Sequence, residues 1–215
     1  MSEQDLLLIV TDALSVSEEE LRVLSDVLPE YRVQKAAKYR RREDRVNCIT
    51  AFVMLAYLLE TRFHCKLPRV LRTNPYGKPL LDAPLWMSIS HCSGAACCAV
   101  SERNVGVDAE NIVTRHQELP ETVLSGEEYA EYLCSASPMQ CFTAFWTQKE
   151  AYLKLRGTGL TEVFPCVRSA VNAEGLYCET CWYGDVCVST CSETQIWQMR
   201  ISIRELLLWS RKRRS

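Results

Sequence analysis

Apolar residues open the chain as a solid block. Leu6 to Val10 form an unbroken run too short for a buried helix, so "DLLLIVTDA" predicts a buried strand. In "SVSEEELRVLSDVL" the period lengthens: Leu21, Leu24 and Leu28 share one face and acids crowd the first turn. That pattern predicts a short helix capped by Ser15 or Ser17. From Glu30 to about Phe63 neither Gly nor Pro interrupts the chain, so one or two long helices are expected, with a break at "RRRED". Their second part, "NCITAFVMLAYLLETRF", is apolar nearly all round, the mark of a central core helix.

The period then shortens. "TNPYGKPLL" packs Asn, two Pro and Gly into a turn. "LWMSISHCSG" and "AACCAVSE" read as two strands joined near Ser93 and Gly94, and "VGVDAE" as the next strand. Helical signals return with acids behind Ser125, and more strongly in "SPMQCFTAFWTQKEAYLKLRG", opened by Ser137-Pro138 and stopped by Gly157. From about Pro165 to Arg204 alternation predicts three or four antiparallel strands, and the tail "RKRRS" reads as a solvated charge run. The expected class is α+β, with two halves of similar content, residues 1–104 and 105–215, meeting near Val105 and showing no internal sequence repeat.

Composition narrows this picture. The 215 residues are 47% hydrophobic and 24% charged with a net charge of −2, ordinary for a globular protein and without a field that points to nucleic acid or membrane. No apolar run approaches the roughly 20 residues of a membrane span. The acidic start "MSEQDLLLIVTD" does not read as a secretory signal, so a cytoplasmic protein is expected. Twelve cysteines are many. "CETC" with Cys187 and Cys191 suggests zinc, but the gap between the pairs is shorter than in usual zinc modules and the segment has strand composition. Buried free thiols are the expectation.

The candidate chemistry starts with two acids. Alternation along a strand places Asp108 and Glu110 on one face, where like charges repel unless a cation joins them. In the helix from Pro138, Thr143, Thr147, Glu150 and Lys154 recur as a polar stripe, with Phe142, Phe145, Trp146 and Leu153 on the apolar side. Glu150 can therefore join the pair as a third hard oxygen donor, a set suited to Mg²⁺ on a phosphate. The plain alternative is solvated strand-end acids and an ordinary Glu150–Lys154 helix pair. Seven basic residues lie between Arg32 and Arg45, with Arg32, Lys35 and Arg42 near one helical face. Lys78 sits in a turn beside Gly77, and His91 ends a strand; each alone also fits a structural role. A Cys92–His91 dyad is disfavoured because neighbours on a strand point to opposite faces. The glycine pattern of a P-loop is absent.

"YGKP", "SISHC", "VGVDAE" and "FWTQKEAYLKLRGTGL", in this order and at these intervals, resemble the Sfp-type 4′-phosphopantetheinyl transferases over roughly Arg32 to Leu160. The resemblance implies a pseudo-twofold pair of α/β halves with coenzyme A in the cleft between them. It implies Mg²⁺ on Asp108, Glu110 and Glu150, with Lys154 reaching the same phosphates. Lys78, Ser90 and His91 would grip the nucleotide end, with His91, Arg32 and Lys35 near the 3′-phosphate and His91, if protonated, helping Mg²⁺ and Lys154 offset the developing charge. The reaction implied moves phosphopantetheine to a serine of an acyl or peptidyl carrier protein and releases adenosine 3′,5′-bisphosphate, with Glu150, or a water held by the metal, taking the serine proton. A monomer is expected. Asn47 and Cys48 depart from the family, which often carries Arg and Thr or Arg there, so the grip on the nucleotide is expected to weaken or to shift to Arg41, Arg42 or Arg45. A binding module without catalysis and a metal-dependent phosphodiesterase are the competing readings.

Overall fold

Residues Leu6–Val10 form strand β1, and all five are buried because both faces of the strand are covered. The structure, a computed structural model, describes residues 5–81, 84–112, 119–159 and 166–213. After a 3-10 turn at Ala13–Ser15 come helices α1 (Glu18–Ser25), α2 (Glu30–Ala37) and α3 (Arg42–Thr61). Ser17 caps α1: its hydroxyl accepts from Glu20 N while the Glu20 carboxylate accepts from Ser17 N. The predicted break falls between α2 and α3, and α3 is buried along almost its whole length.

Short strands β2 (Arg72–Thr73) and β3 (Pro79–Leu80) flank the turn, followed by β4 (Trp86–Cys92), β5 (Ala95–Ser101) and β6 (Val105–Asn111). Helices α4 (Leu119–Val123), α5 (Gly126–Cys134) and α6 (Pro138–Arg156) come next. α6 runs between the two predicted signals, with proline at its start and Gly157 in the left-handed region (φ 67°) at its end.

The last third differs from its expected run of antiparallel strands. Val167–Glu174 is a helix, α7, before β7 (Tyr177–Tyr183), β8 (Val186–Ser192) and β9 (Trp197–Arg200); Ile203–Lys212 is another helix, α8. In α7 a single apolar edge, Val167 and Val171, precedes a left-handed Gly175, and the β-branched content masks the helical period. α8 carries a full capping box, Ser202 with Glu205, so much of the basic tail is the end of a helix rather than a free charge run. β9 pairs parallel to β1, not antiparallel. Pro165 and the last residues of "GTGL" and "RKRRS" lie outside the described residues.

Two main sheets result, β4-β5-β1-β9 and β6-β8-β7. Leu6, Leu8 and Val10 of β1 pack with α1, α3 and α8, while Leu7 and Ile9 pack against Val105, Val107 and Ala109 of β6. The chain is thus a mixed α/β protein whose closing elements, β9 and α8, return to the sheet and core of the first half. The sheets also meet along β4 and β6: buried Ser88 Oγ accepts from Val107 N at 2.9 Å. Among the described residues no helix is long and apolar enough to cross a membrane.

Candidate functional site

Gly106 sets the geometry. On β6 it alternates with Val105 and Val107, so it faces α6 together with Asp108 and Glu110. A Cβ at Gly106 would lie 1.9 Å from Ala151 O and 2.4 Å from Leu155 N. Without one, the backbone of α6 rests directly on β6 at Ala151 and Leu155, the residues that follow Glu150 and Lys154. The polar stripe predicted on α6 is its inward face: Thr143 and Thr147 are fully buried, and Thr147 Oγ1 shares a hydrogen bond of 2.8 Å with Ser189 Oγ on β8.

Asp108 is 4% exposed. Its Oδ1 accepts from Lys154 Nζ at 2.6 Å and from Ser90 Oγ at 2.8 Å, and Lys154 Nζ also donates to Ser90 Oγ at 2.8 Å. Its Oδ2 is buried with no donor among the described residues. Burial tends to strip Lys154 of its proton, but the charge and hydrogen bond of Asp108, with Glu150 beyond, outweigh it and hold the ammonium above the usual lysine value. Glu110 is pushed up to about 7, first by burial, then by Asp108 and Glu150, against the pull of Lys154. Glu150 is raised too, by burial and then by Asp108. The three carboxyls therefore sense one another. Among the described residues, however, no three His, Cys, Asp or Glu side chains form a group placed to hold a metal ion. The positive group already on Asp108 is Lys154.

Two adjoining cavities of about 320 and 310 Å³ share Gly77, Pro79, Ile89 and Lys154 as walls. Glu150, Lys78 and Ser88 line the first; Arg32, Lys35, Ser90 and His91 line the second. The Arg32 guanidinium lies 3.2 Å from the centre of the Phe52 ring and donates to Cys48 Sγ at 3.5 Å, while its Nε is buried without an acceptor among the described residues. Burial, then the charge of Lys154, lowers His91, so its imidazole is mainly neutral at pH 7 rather than cationic. Of the nine residues singled out from the sequence, seven line the double cleft and Asp108 reaches it through Lys154, while Glu110 is linked to them only by the charges of Asp108, Lys154 and Glu150.

Some roles differ from expectation. Asn47 is buried and its amide donates to Cys92 O at 2.7 Å, so it braces α3 against β4. Arg42 binds Glu18 at 2.6 Å and also Val16 O, and Arg45 donates to Tyr39 O and Arg40 O. None of Arg41, Arg42 and Arg45 lines either cavity. Lys78 Nζ donates to Asn104 Oδ1, Val105 O and Leu155 O. All twelve cysteines are free, five of them buried. Sequence reasoning did not find the ion pair of Lys149, wholly buried, with Glu128, 2.7 Å apart beneath α5 and α6. The Ser125-x-x-Glu128 capping signal was visible, but a buried partner for it was not.

A model of the 4′-phosphopantetheinyl transferase superfamily matches residues 104–212, just over half of the chain. The 4′-phosphopantetheinyl transferase gsp of Aneurinibacillus migulanus is 34% identical over 93 residues, 42% of this chain and 39% of that protein. The 4′-phosphopantetheinyl transferase Sfp of Bacillus subtilis (strain 168) is 27% identical over 149 residues, 67% of this chain and 66% of the relative. The 4′-phosphopantetheinyl transferase psf-1 of Bacillus pumilus is 25% identical over 145 residues, 65% of this chain and 62% of the relative. In each case the match spans less than two thirds of the relative's own length.

Proposed function

Because the chain belongs to the 4′-phosphopantetheinyl transferase superfamily, in its Sfp-type branch, we propose that it moves 4′-phosphopantetheine from coenzyme A to a serine of an apo acyl or peptidyl carrier protein. The product released is adenosine 3′,5′-bisphosphate. One observation carries the reading: Lys154, bonded to Asp108, and Glu150 line a double cleft together with the cationic side chains of Arg32 and Lys35. The unpaired Arg32 Nε supports an anionic ligand in the second cavity.

Among the described residues Asp108, Glu110 and Glu150 do not stand as a ready three-ligand group, but their donor chemistry suits Mg²⁺, because a hard cation would satisfy the orphaned Asp108 Oδ2 and relieve the like-charge coupling of the three. Bound there, the ion would neutralise charge on a diphosphate. The chain's own groups do the rest. Lys154 offers a charged donor to the phosphoryl oxygens, and Ser90 keeps the Asp108–Lys154 pair in place. Arg32 and Lys35 hold the 3′-phosphate, and His91, neutral, donates one N–H to the nucleotide. Glu150 accepts the proton of the incoming carrier serine as its oxygen attacks the β-phosphorus and the adenosine bisphosphate departs. The reading also takes the two sheets as pseudo-twofold counterparts, supported by one long helix laid on each, α3 and α6. A cytoplasmic monomer suits this role.

Incubation with an apo carrier, coenzyme A and Mg²⁺ should add the phosphopantetheine mass to the carrier. Asp108→Ala and Glu150→Ala should each lower turnover by about a hundredfold or more, the scale of losing a charge-stabilising group. Unmodified carriers throughout, with no binding of coenzyme A, would discard the proposal. The neutral Asn47 favours one second reading, a binding module without catalysis. That reading expects coenzyme A to stabilise both the wild type and Glu150→Gln, with turnover in neither.

A further inference from the structure

We propose that Asn74, Lys78 and Asn104 form a latch on the C-terminal turn of α6, with Lys78 a positioning residue for Lys154 rather than a contact to the nucleotide. The last carbonyls of a helix lack partners within it. Here Leu155 O accepts from Lys78 Nζ at 3.1 Å and from Asn104 Nδ2 at 2.9 Å, and Gly157 O accepts from Asn74 Nδ2 at 2.6 Å. These side chains arrive from two different loops, the turn between β2 and β3 and the connection from β5 to β6.

An ammonium has three hydrogens to donate. Lys78 directs them at Leu155 O, Asn104 Oδ1 (3.1 Å) and Val105 O (3.3 Å), so none is left for a phosphate. Burial drags Lys78 down to about 8, as expected for a charge held only by neutral acceptors. Its placement at the negative end of α6 offsets part of that cost. Asn74 also shapes the turn, since its Oδ1 accepts from Tyr76 N at 3.0 Å and Lys78 N at 2.9 Å. The fit is close: a Cβ at Gly157 would lie 2.9 Å from Asn74 Nδ2 and 3.2 Å from Lys78 Cδ. Lys154 sits one residue before the latched Leu155, and Gly77 and Pro79 of the same turn line both cavities. The turn that a ligand leans on is therefore the turn that fixes the helix end carrying Lys154.

The latch rests on the transferase reading only for its kinetic consequence, so the test has two arms. Hydrogen exchange of peptides spanning residues 151–157, without ligand, should quicken about fivefold in Asn104→Ala and in Asn74→Ala, the factor carried by one net hydrogen bond. Peptides from β5 should not change. Lys78→Met in the Asn104→Ala background should add less than it does alone, because the two side chains act as one unit. In turnover, Asn104→Ala should lower kcat about tenfold while coenzyme A affinity stays within about twofold, as for a displaced reacting group. Unaltered exchange in both asparagine variants overturns the latch. So does a Lys78→Met variant that loses coenzyme A binding while Asn104→Ala keeps full kcat, since Lys78 would then be a ligand contact. Faster exchange with unchanged kcat overturns the positioning role. A wild type that modifies no carrier refutes the transferase reading, and the exchange arm still decides the latch.

Discussion

Asp108 keeps one oxygen on Lys154 and Ser90 and leaves the other buried without a donor among the described residues. Such an atom carries a desolvation cost of about 1–3 kcal/mol that a stability argument alone does not explain. Lys78 shows a similar tension with the opposite charge, since burial lowers it to about 8 from the usual 10.5. Between those values the unfolded chain binds the proton and the folded chain does not. Unfolding free energy from this group therefore rises with pH across the window from about 8 to 10.5 and is flat below it. Denaturation of wild type beside Lys78→Met should show the wild type gaining relative stability across that window. A difference that stays constant would mean that Lys78 titrates as if exposed. The identity of these residues was legible in the sequence, as was the shared face of Asp108 and Glu110. Their partners were not, because which donor reaches Asp108 depends on Ser90 from another sheet.

At the level of elements, the seat of α6 on β6 decides whether a site exists. Gly106→Ala places a methyl against helix backbone, which cannot give way as a side-chain tip can. It should cost about 3 kcal/mol or more in chemical denaturation and take activity with it. Native stability in that variant would show that α6 can lift away freely. Beneath the same helix, Lys149→Met should cost about 3–5 kcal/mol by leaving Glu128 buried and uncompensated. Adding Glu128→Gln should restore part of the loss; a double variant worse than the single would show that Glu128 depends on its cap and on Val167 N rather than on Lys149. α6 was readable in full from proline, glycine and period. α7 and α8 were not read, although "SIRE" carried a capping box, because alternating Val, Cys and Trp in the neighbouring strands set the apparent period of the whole segment.

Across the whole molecule, the chain ends close on its beginning. β9 extends the first sheet in parallel beside β1, and Ile203, Leu206 and Leu207 of α8 complete the core around α3. Leu206→Ala should therefore cost about 2–5 kcal/mol in stability although it lies apart from both cavities. Its kcat at low temperature should match that of the wild type, since the seat of α6 on β6 is untouched. A stable protein with reduced kcat would instead tie α8 to the site. The double cleft itself is a product of this scale, because its walls come from α2, α3, the 74–78 turn, β4 and α6.

By itself the sequence located most of the elements, α6 above all, and set Asp108 and Glu110 on one face, because period, capping and glycine signals act within a few residues. It also carried the superfamily, through "VGVDAE" and "FWTQKEAYLKLRGTGL", which lie within the matched residues 104–212. Tertiary structure alone decided that Lys154 occupies Asp108, that Asn47 braces a strand, that Lys149 pairs with Glu128 in the core, and that β9 joins the first sheet while the last helix packs into the first core. Those outcomes depend on contacts between residues from about twenty to nearly two hundred positions apart, fixed by packing and burial that no local pattern encodes.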